Sequence, residues 1–131
     1  MFKVTLALLL IPFCVPAQDI SAMQTATMMN GRGWNTMGRA DKVIYVTALH
    51  DAVAISVVAG APVQEQAIWK LGFNIGEYVK ELDKVYSATE NVRIPIPMAM
   101  VYCAARLQGQ MTAKELELQL INLRKRVAEV K

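Results

Sequence analysis

The chain is poor in the residues that do covalent and metal chemistry. Its 131 residues include two cysteines, Cys14 and Cys103, and a single histidine, His50. There is no Cys-x-x-Cys and no histidine pair, so a structural zinc site, which needs about four ligands at set spacing, is excluded. Glycine is sparse and never falls in the Gly-x-Gly-x-x-Gly or P-loop order whose backbone N–H groups cradle phosphate, nor is there an EF-hand loop. Asn30-Gly31-Arg32-Gly33 is a turn signal too short for that purpose. Charge of one sign is lacking as well. Fourteen basic against eleven acidic residues leave a net charge of +3, too weak a field to argue for nucleic acid as a partner.

What is present begins at the N-terminus. Lys3 supplies a short positive region, and Val4 to Phe13 form an apolar run too short to span a bilayer. Val15-Pro16-Ala17 places small residues where a signal peptidase reads them, so residues 1–17 are expected to be an export signal cleaved before Gln18. Pro12 and Pro16 argue against a buried N-terminal helix. A lipidated Cys14 is the rival reading, opposed by the bulk of Phe13 where a lipobox has a small residue. Removing 17 of the 131 residues leaves 114, with net charge +2 once Lys3 is gone. That length suits one periplasmic or secreted domain without a membrane span, burying roughly two thirds of its unfolded surface. Only Cys103 remains, so no intramolecular disulfide helps and helix packing must supply the stability.

Residues 18–33 are polar and rich in Met and Thr, and read as a flexible leader into a helical domain over 34–131. A first helix is expected from near Gly38 to about Val58, with Gly38 as N-cap and Asp41 three residues on. Tyr45, Leu49, Ala52 and Ser56 share one face, and Ile44, Ala48, Ile55 and Val58 another. A helix apolar over so much of its circumference belongs in the centre of a bundle. Its β-branched residues make strands the competing reading; length without a turn signal favours helix. Gly60-Ala61-Pro62 ends it, and residues 60–72 read as a connection with a helical turn around Glu65 to Lys70.

Asn74 caps the second helix, Glu77 completes a capping box, and Phe73 with Tyr78 forms a hydrophobic staple. Ile75, Val79, Leu82 and Tyr86 make its buried stripe, leaving Glu77, Lys80, Glu81 and Lys84 on the wet side. After a polar loop over 87–94, Pro95 and Pro97 open a third helix. Its inner stripe is Ile96, Met100, Cys103 and Leu107, and Gly109 is its C′ residue. Thr112 and Glu115 form the box of a fourth helix, with Met111 stapled onto Leu116 and a seam of Leu116, Leu120, Leu123, Val127 and Val130. Arg124, Lys125, Arg126 and Lys131 suit the negative end of its dipole. The fold class is therefore all-α, a small bundle of about four helices with no convincing strand.

Chemistry is scarce on this frame. His50-Asp51 with Cys103 as nucleophile would need an accessible thiol of lowered pKa, yet Cys103 sits on an apolar stripe. Glu77 and Glu115 are occupied as caps, and Glu81 and Glu117 fall on solvated faces, so no carboxylate pair is set up for acid/base work. The basic C-terminal tail is interleaved with Glu115, Glu117 and Glu129 and reads as a solvated face rather than a lipid-binding one. No cofactor is implied, and the chain is expected not to be an enzyme. Trp34, between a glycine-flanked turn and the first helix, is either a ligand contact or a plug on the core.

Asn30-Gly-Arg-Gly-Trp34-Asn35, Lys42-Val-Ile-Tyr45 and Asp51 resemble the opening of a group of small exported bacterial helical proteins of unknown function. Phe73 to Tyr86 and Asn91-Val-Arg-Ile-Pro-Ile-Pro97 resemble that group's later half. More remotely, the element order resembles the Rap/Tai type of immunity protein: a Tyr-containing helix ending near an Asp, a helix ending in an aromatic, then a proline-started helix. The chain departs from that type in lacking disulfide cysteines and in carrying Ala48 and Ala52 in its first helix in place of glycine. The resemblance implies a periplasmic all-α protein that binds another protein, a peptidoglycan amidase, and blocks it. No inhibitory site is carried over from that resemblance; Trp34, Tyr45 and Asp51 are the candidate binding residues of this chain. The alternative is a small-molecule or lipid-binding helical pocket, with seven methionines of the mature chain as an adaptable lining.

Overall fold

Local capping chemistry marks where the chain turns into helix, and the computed structural model, which describes residues 20–58, 74–109 and 111–130, follows most of those marks. Five helices and one small hairpin appear among the described residues: α1 (Gly31–Thr36), α2 (Arg39–Val58), α3 (Ile75–Ser87), α4 (Ile96–Leu107) and α5 (Ala113–Glu129). The protein is mostly helical, a small bundle. The expected export signal over 1–17 with its cleavage before Gln18, Cys14, the connection over 60–72, and Phe73 of the proposed staple all lie outside the described residues.

The entry segment corrects the sequence reading. Residues 20–33 are not a loose leader: a 3-10 turn at Ile20–Met23 leads into an antiparallel pair, β1 (Gln24–Thr25) and β2 (Met28–Met29), and then into α1. The two-residue turn holds Ala26 at φ 51° and Thr27 at φ 64°. Such a left-handed pair matches the twist of a hairpin, but it is a strained conformation for a β-branched residue. Asn30 secures this segment. Its backbone N–H donates to Met23 O at 2.8 Å, and its side-chain amide donates to Thr25 Oγ1 at 3.0 Å and Ala22 O at 3.3 Å. Its Oδ1 accepts from Arg32 N at 2.9 Å as the N-cap of α1. The motif taken as a turn signal is thus a helix start. Gly31 is required there because a Cβ would sit 2.2 Å from Cδ1 of Tyr86.

The centre of the bundle is α3, not α2. α3 packs against α1, α2 and α4, and α5 closes over α4. Asn74 Oδ1 accepts from Glu77 N at 3.3 Å and starts it. Tyr78, Val79, Leu82, Val85 and Tyr86 are buried along it, a wider face than the four residues expected. Glu81, placed on the wet side by the sequence, is only 8% exposed. Lys84 Nζ donates to its Oε1 at 2.6 Å, and Arg106 Nε lies 3.2 Å from Oε2 off hydrogen-bonding geometry, a Coulombic contact.

α2 lies at the edge. Val46 is buried and Tyr45 and Leu49 are half-buried, but Ile44 and Ile55 are 66% and 69% exposed. Apolar residues all round a helix suggest a central position; among the described residues α2 is packed along one flank. The remaining stops and starts agree with the sequence. Pro95 caps α4, Gly109 ends it at φ +64°, and Thr112 with Glu115 forms a complete capping box on α5. Leu107 and Val130, expected on inner stripes, are partly exposed at the ends of their helices.

Candidate functional site

Trp34 shows how the elements are tied together. Its side chain is completely buried, with its ring tilted 46° against Tyr86 at 6.3 Å between centroids. Nε1 donates to Asp83 Oδ1 at 2.8 Å. Lys42 Nζ donates to the same oxygen at 2.7 Å and stands 5.1 Å from the Trp34 ring centroid. One carboxylate thereby joins α1, α2 and α3, and a cation over an aromatic face adds to the bond. Asn35 Nδ2 donates to Tyr86 O at 3.2 Å, and the Tyr86 hydroxyl donates to Ile94 O at 3.0 Å. Trp34 is a plug on the core, with no surface to offer a ligand.

Of the other candidate residues, Tyr45 packs against the same core and Asp51 lies at the surface. Tyr45 is half-buried on the inner side of α2, and burial holds its hydroxyl pKa above the usual phenol value. Asp51 is exposed, its Oδ1 3.2 Å from His50 Nδ1. None of the three lines any of the clefts described below.

Cys103 is fully buried, and its thiol is pushed up to about 12, chiefly by burial, then by the Glu81 carboxylate, with Arg106 opposing. A thiol in that state is not a nucleophile near neutral pH. Tyr78 and Tyr86 are raised as well, first by burial and then by their proximity to Cys103. Among the described residues no group of three His, Cys, Asp or Glu side chains is placed to hold a metal ion, and no helix is long and apolar enough to cross a membrane.

Surface features remain. A cleft of about 210 Å³ between α2 and α3 is walled by Val43, Val79 and Gly76 and rimmed by Arg39, Lys42, Lys80 and Asp83. A groove of about 330 Å³ between α4 and α5 has Met98, Val101 and Leu123 as apolar wall beside Gln119, Asn122 and Arg126. A third hollow of about 280 Å³ lies at the hairpin turn, beside Arg93. All three are smaller than, or at the lower end of, the range that encloses small organic ligands.

The sequence missed the role of Asp83, which pairs with residues 41 and 49 positions away. No spacing rule within one helix reports such a contact. Comparison with known protein families, with curated proteins and with solved structures returned no match in any of the three.

Proposed function

We propose that the chain is an exported, non-catalytic protein-binding module, of the immunity type that blocks a cell-wall amidase. The observation that carries the protein-binding part is the outer ridge of α2. Ile44 and Ile55 stand in the open on the same face of a regular helix, with Ala48, Asp51 and Ala52 between them also exposed. An ordered apolar ridge on a 20-residue helix is the kind of surface that a partner protein covers. The buried thiol and the ion-paired Lys42–Asp83 support a role played by the outer surface rather than by a reactive centre. The immunity assignment rests on the remoter resemblance of element order, and export on the signal-like residues 1–17.

Co-expression with a candidate peptidoglycan amidase, followed by pull-down from the periplasmic fraction, tests this reading. A stoichiometric complex that protects cells from the amidase is expected, with the mature chain beginning at Gln18 by N-terminal sequencing. Retention in the cytoplasm, or cells equally sensitive with and without the protein, would refute it. Substituting Ile44→Asp, which leaves the core untouched, is expected to weaken the complex by about tenfold or more, the loss of one well-placed apolar contact.

A further inference from the structure

The cleft between α2 and α3 carries an unbalanced charge. Its rim holds three cations, Arg39, Lys42 and Lys80, against one carboxylate, Asp83, a local balance of +2. Asp83 Oδ1 is already engaged by Lys42 and the Trp34 indole. Among the described residues neither Arg39 nor Lys80 makes an ion pair. Between the cations, Val43 and Val79 offer apolar wall, and Gly76 leaves one side without a side chain.

We propose that this cleft receives a carboxylate side chain flanked by apolar residues, an aspartate or glutamate presented by the partner protein. The inference rests on the protein-binding reading and gives that partner a chemistry. Size favours a side chain: about 210 Å³ falls short of the roughly 300–1,000 Å³ that encloses a small-molecule ligand. Energetics favour an acid carried on an apolar surface over a free anion. Exposed ion pairs contribute little each, so Arg39 and Lys80 alone hold a free anion only weakly. Val43 lies in the wall of the cleft on the helix that also exposes Ile44 and Ile55. A partner covering α2 therefore adds apolar burial to the charge contact. Lys42, held by Asp83 and the Trp34 ring, provides a positive potential that needs no ordering on binding.

The test is an NMR titration of the 15N-labelled protein with three probes: a short synthetic peptide with one glutamate between leucines, its glutamine counterpart, and inorganic phosphate. The glutamate peptide is expected to shift the amides of Arg39, Val43, Gly76 and Lys80 saturably, with an affinity in the millimolar range. The glutamine peptide is expected to bind about tenfold more weakly, the combined value of two exposed ion pairs. Substituting Arg39→Gln together with Lys80→Gln, both at the surface, should erase that difference while leaving the rest of the spectrum in place. Equal affinity for the two peptides, no shift with either, or phosphate matching the glutamate peptide in site and affinity would each overturn the proposal. The peptide arms need no amidase. An amidase complex unaffected by the Arg39→Gln, Lys80→Gln pair would likewise sink the cleft assignment while leaving the protein-binding reading intact.

Discussion

Replacing Gly31 with alanine is expected to destabilise the protein by about 2–3 kcal/mol, although the change adds one methyl group to a helix. The ideal Cβ falls 2.2, 2.6 and 2.8 Å from Cδ1, Cε1 and Cγ of Tyr86. Carbon atoms pack at about 3.5–4.0 Å, so the ring or α1 must move by more than about 1 Å. The ring has little freedom: it is 1% exposed, its hydroxyl donates to Ile94 O at 3.0 Å, and Trp34 is tilted against it. Moving α1 instead disturbs Asn30, which caps that helix and holds the hairpin. Overpacking of this kind costs about 1–3 kcal/mol and occasionally more, and a disturbed hydrogen bond adds about 1 kcal/mol. Against this, alanine gains at most about 1 kcal/mol over glycine in a helix, and less in its first turn. In thermal unfolding followed by circular dichroism, the midpoint should fall by about 10 °C. Gly109→Ala is the control. It meets nothing within 4 Å, so only its φ of +64° is at issue, for about 1 kcal/mol. In a Tyr86→Leu background the Gly31→Ala penalty should shrink, since the rigid ring edge is gone. A Gly31→Ala protein within about 0.5 kcal/mol of the parent would refute the reasoning.

Cys103 should resist alkylation in the native protein near neutral pH and react only on unfolding; rapid stoichiometric labelling with a disulfide reagent would contradict its burial. Because its folded pKa is raised from 9.0 to about 12, the unfolded chain loses the thiol proton first, so stability is expected to fall between pH 9 and pH 12. Urea midpoints across that range measure it, and the raised tyrosines act in the same direction. Trp34→Phe keeps a six-membered aromatic ring but removes the pyrrole ring with its donor to Asp83 and leaves a small void in a fully buried position. A loss of at least about 1–2 kcal/mol in urea unfolding is expected, and no change would mean that neither the indole bond nor the packing contributes. Two donors hold the Glu115 carboxyl below the usual carboxylate value, first the Thr112 backbone N–H and then its hydroxyl. Thr112→Ala removes the hydroxyl bond and the bond that Oγ1 accepts from Glu115 N, and keeps the backbone one. An NMR titration should then show Glu115 moving up toward that value and the first turn of α5 fraying; an unshifted titration would contradict the cap. In the parent this contribution is present at neutral pH and is lost as acid protonates Glu115.

The parts of the fold legible in the sequence are those decided within one turn of chain. Asn74, the Thr112–Glu115 box, the Pro95–Pro97 entry and Gly109 are local hydrogen-bonding and steric statements, and the helices begin and end where they say. The hairpin at 24–29 was not legible, because its turn places Ala26 and Thr27 where glycine or asparagine normally signals a left-handed pair. The position of α2 is not legible in the sequence for a different reason. Val43, Ile44, Val46, Ile55 and their neighbours are apolar on every side, and composition around a helix does not say which flank finds a partner. Glu81 was misplaced because it lies only a turn from residues that are wet, yet Arg106 from another helix comes in to meet it.

The candidate sites divide along the same line. That Cys103 sits on a packed stripe and that the bundle is helical follow from residue types and helical spacing, which are properties of the chain itself. That Trp34 is sealed by Asp83 and Lys42, and that Arg39 and Lys80 share a cleft, were decided only when α1, α2 and α3 packed together. The physical reason is range. Caps and stripes are settled by groups within about four residues, whereas charge balance and exposure belong to side chains brought together from across the sequence, and those depend on which apolar faces meet.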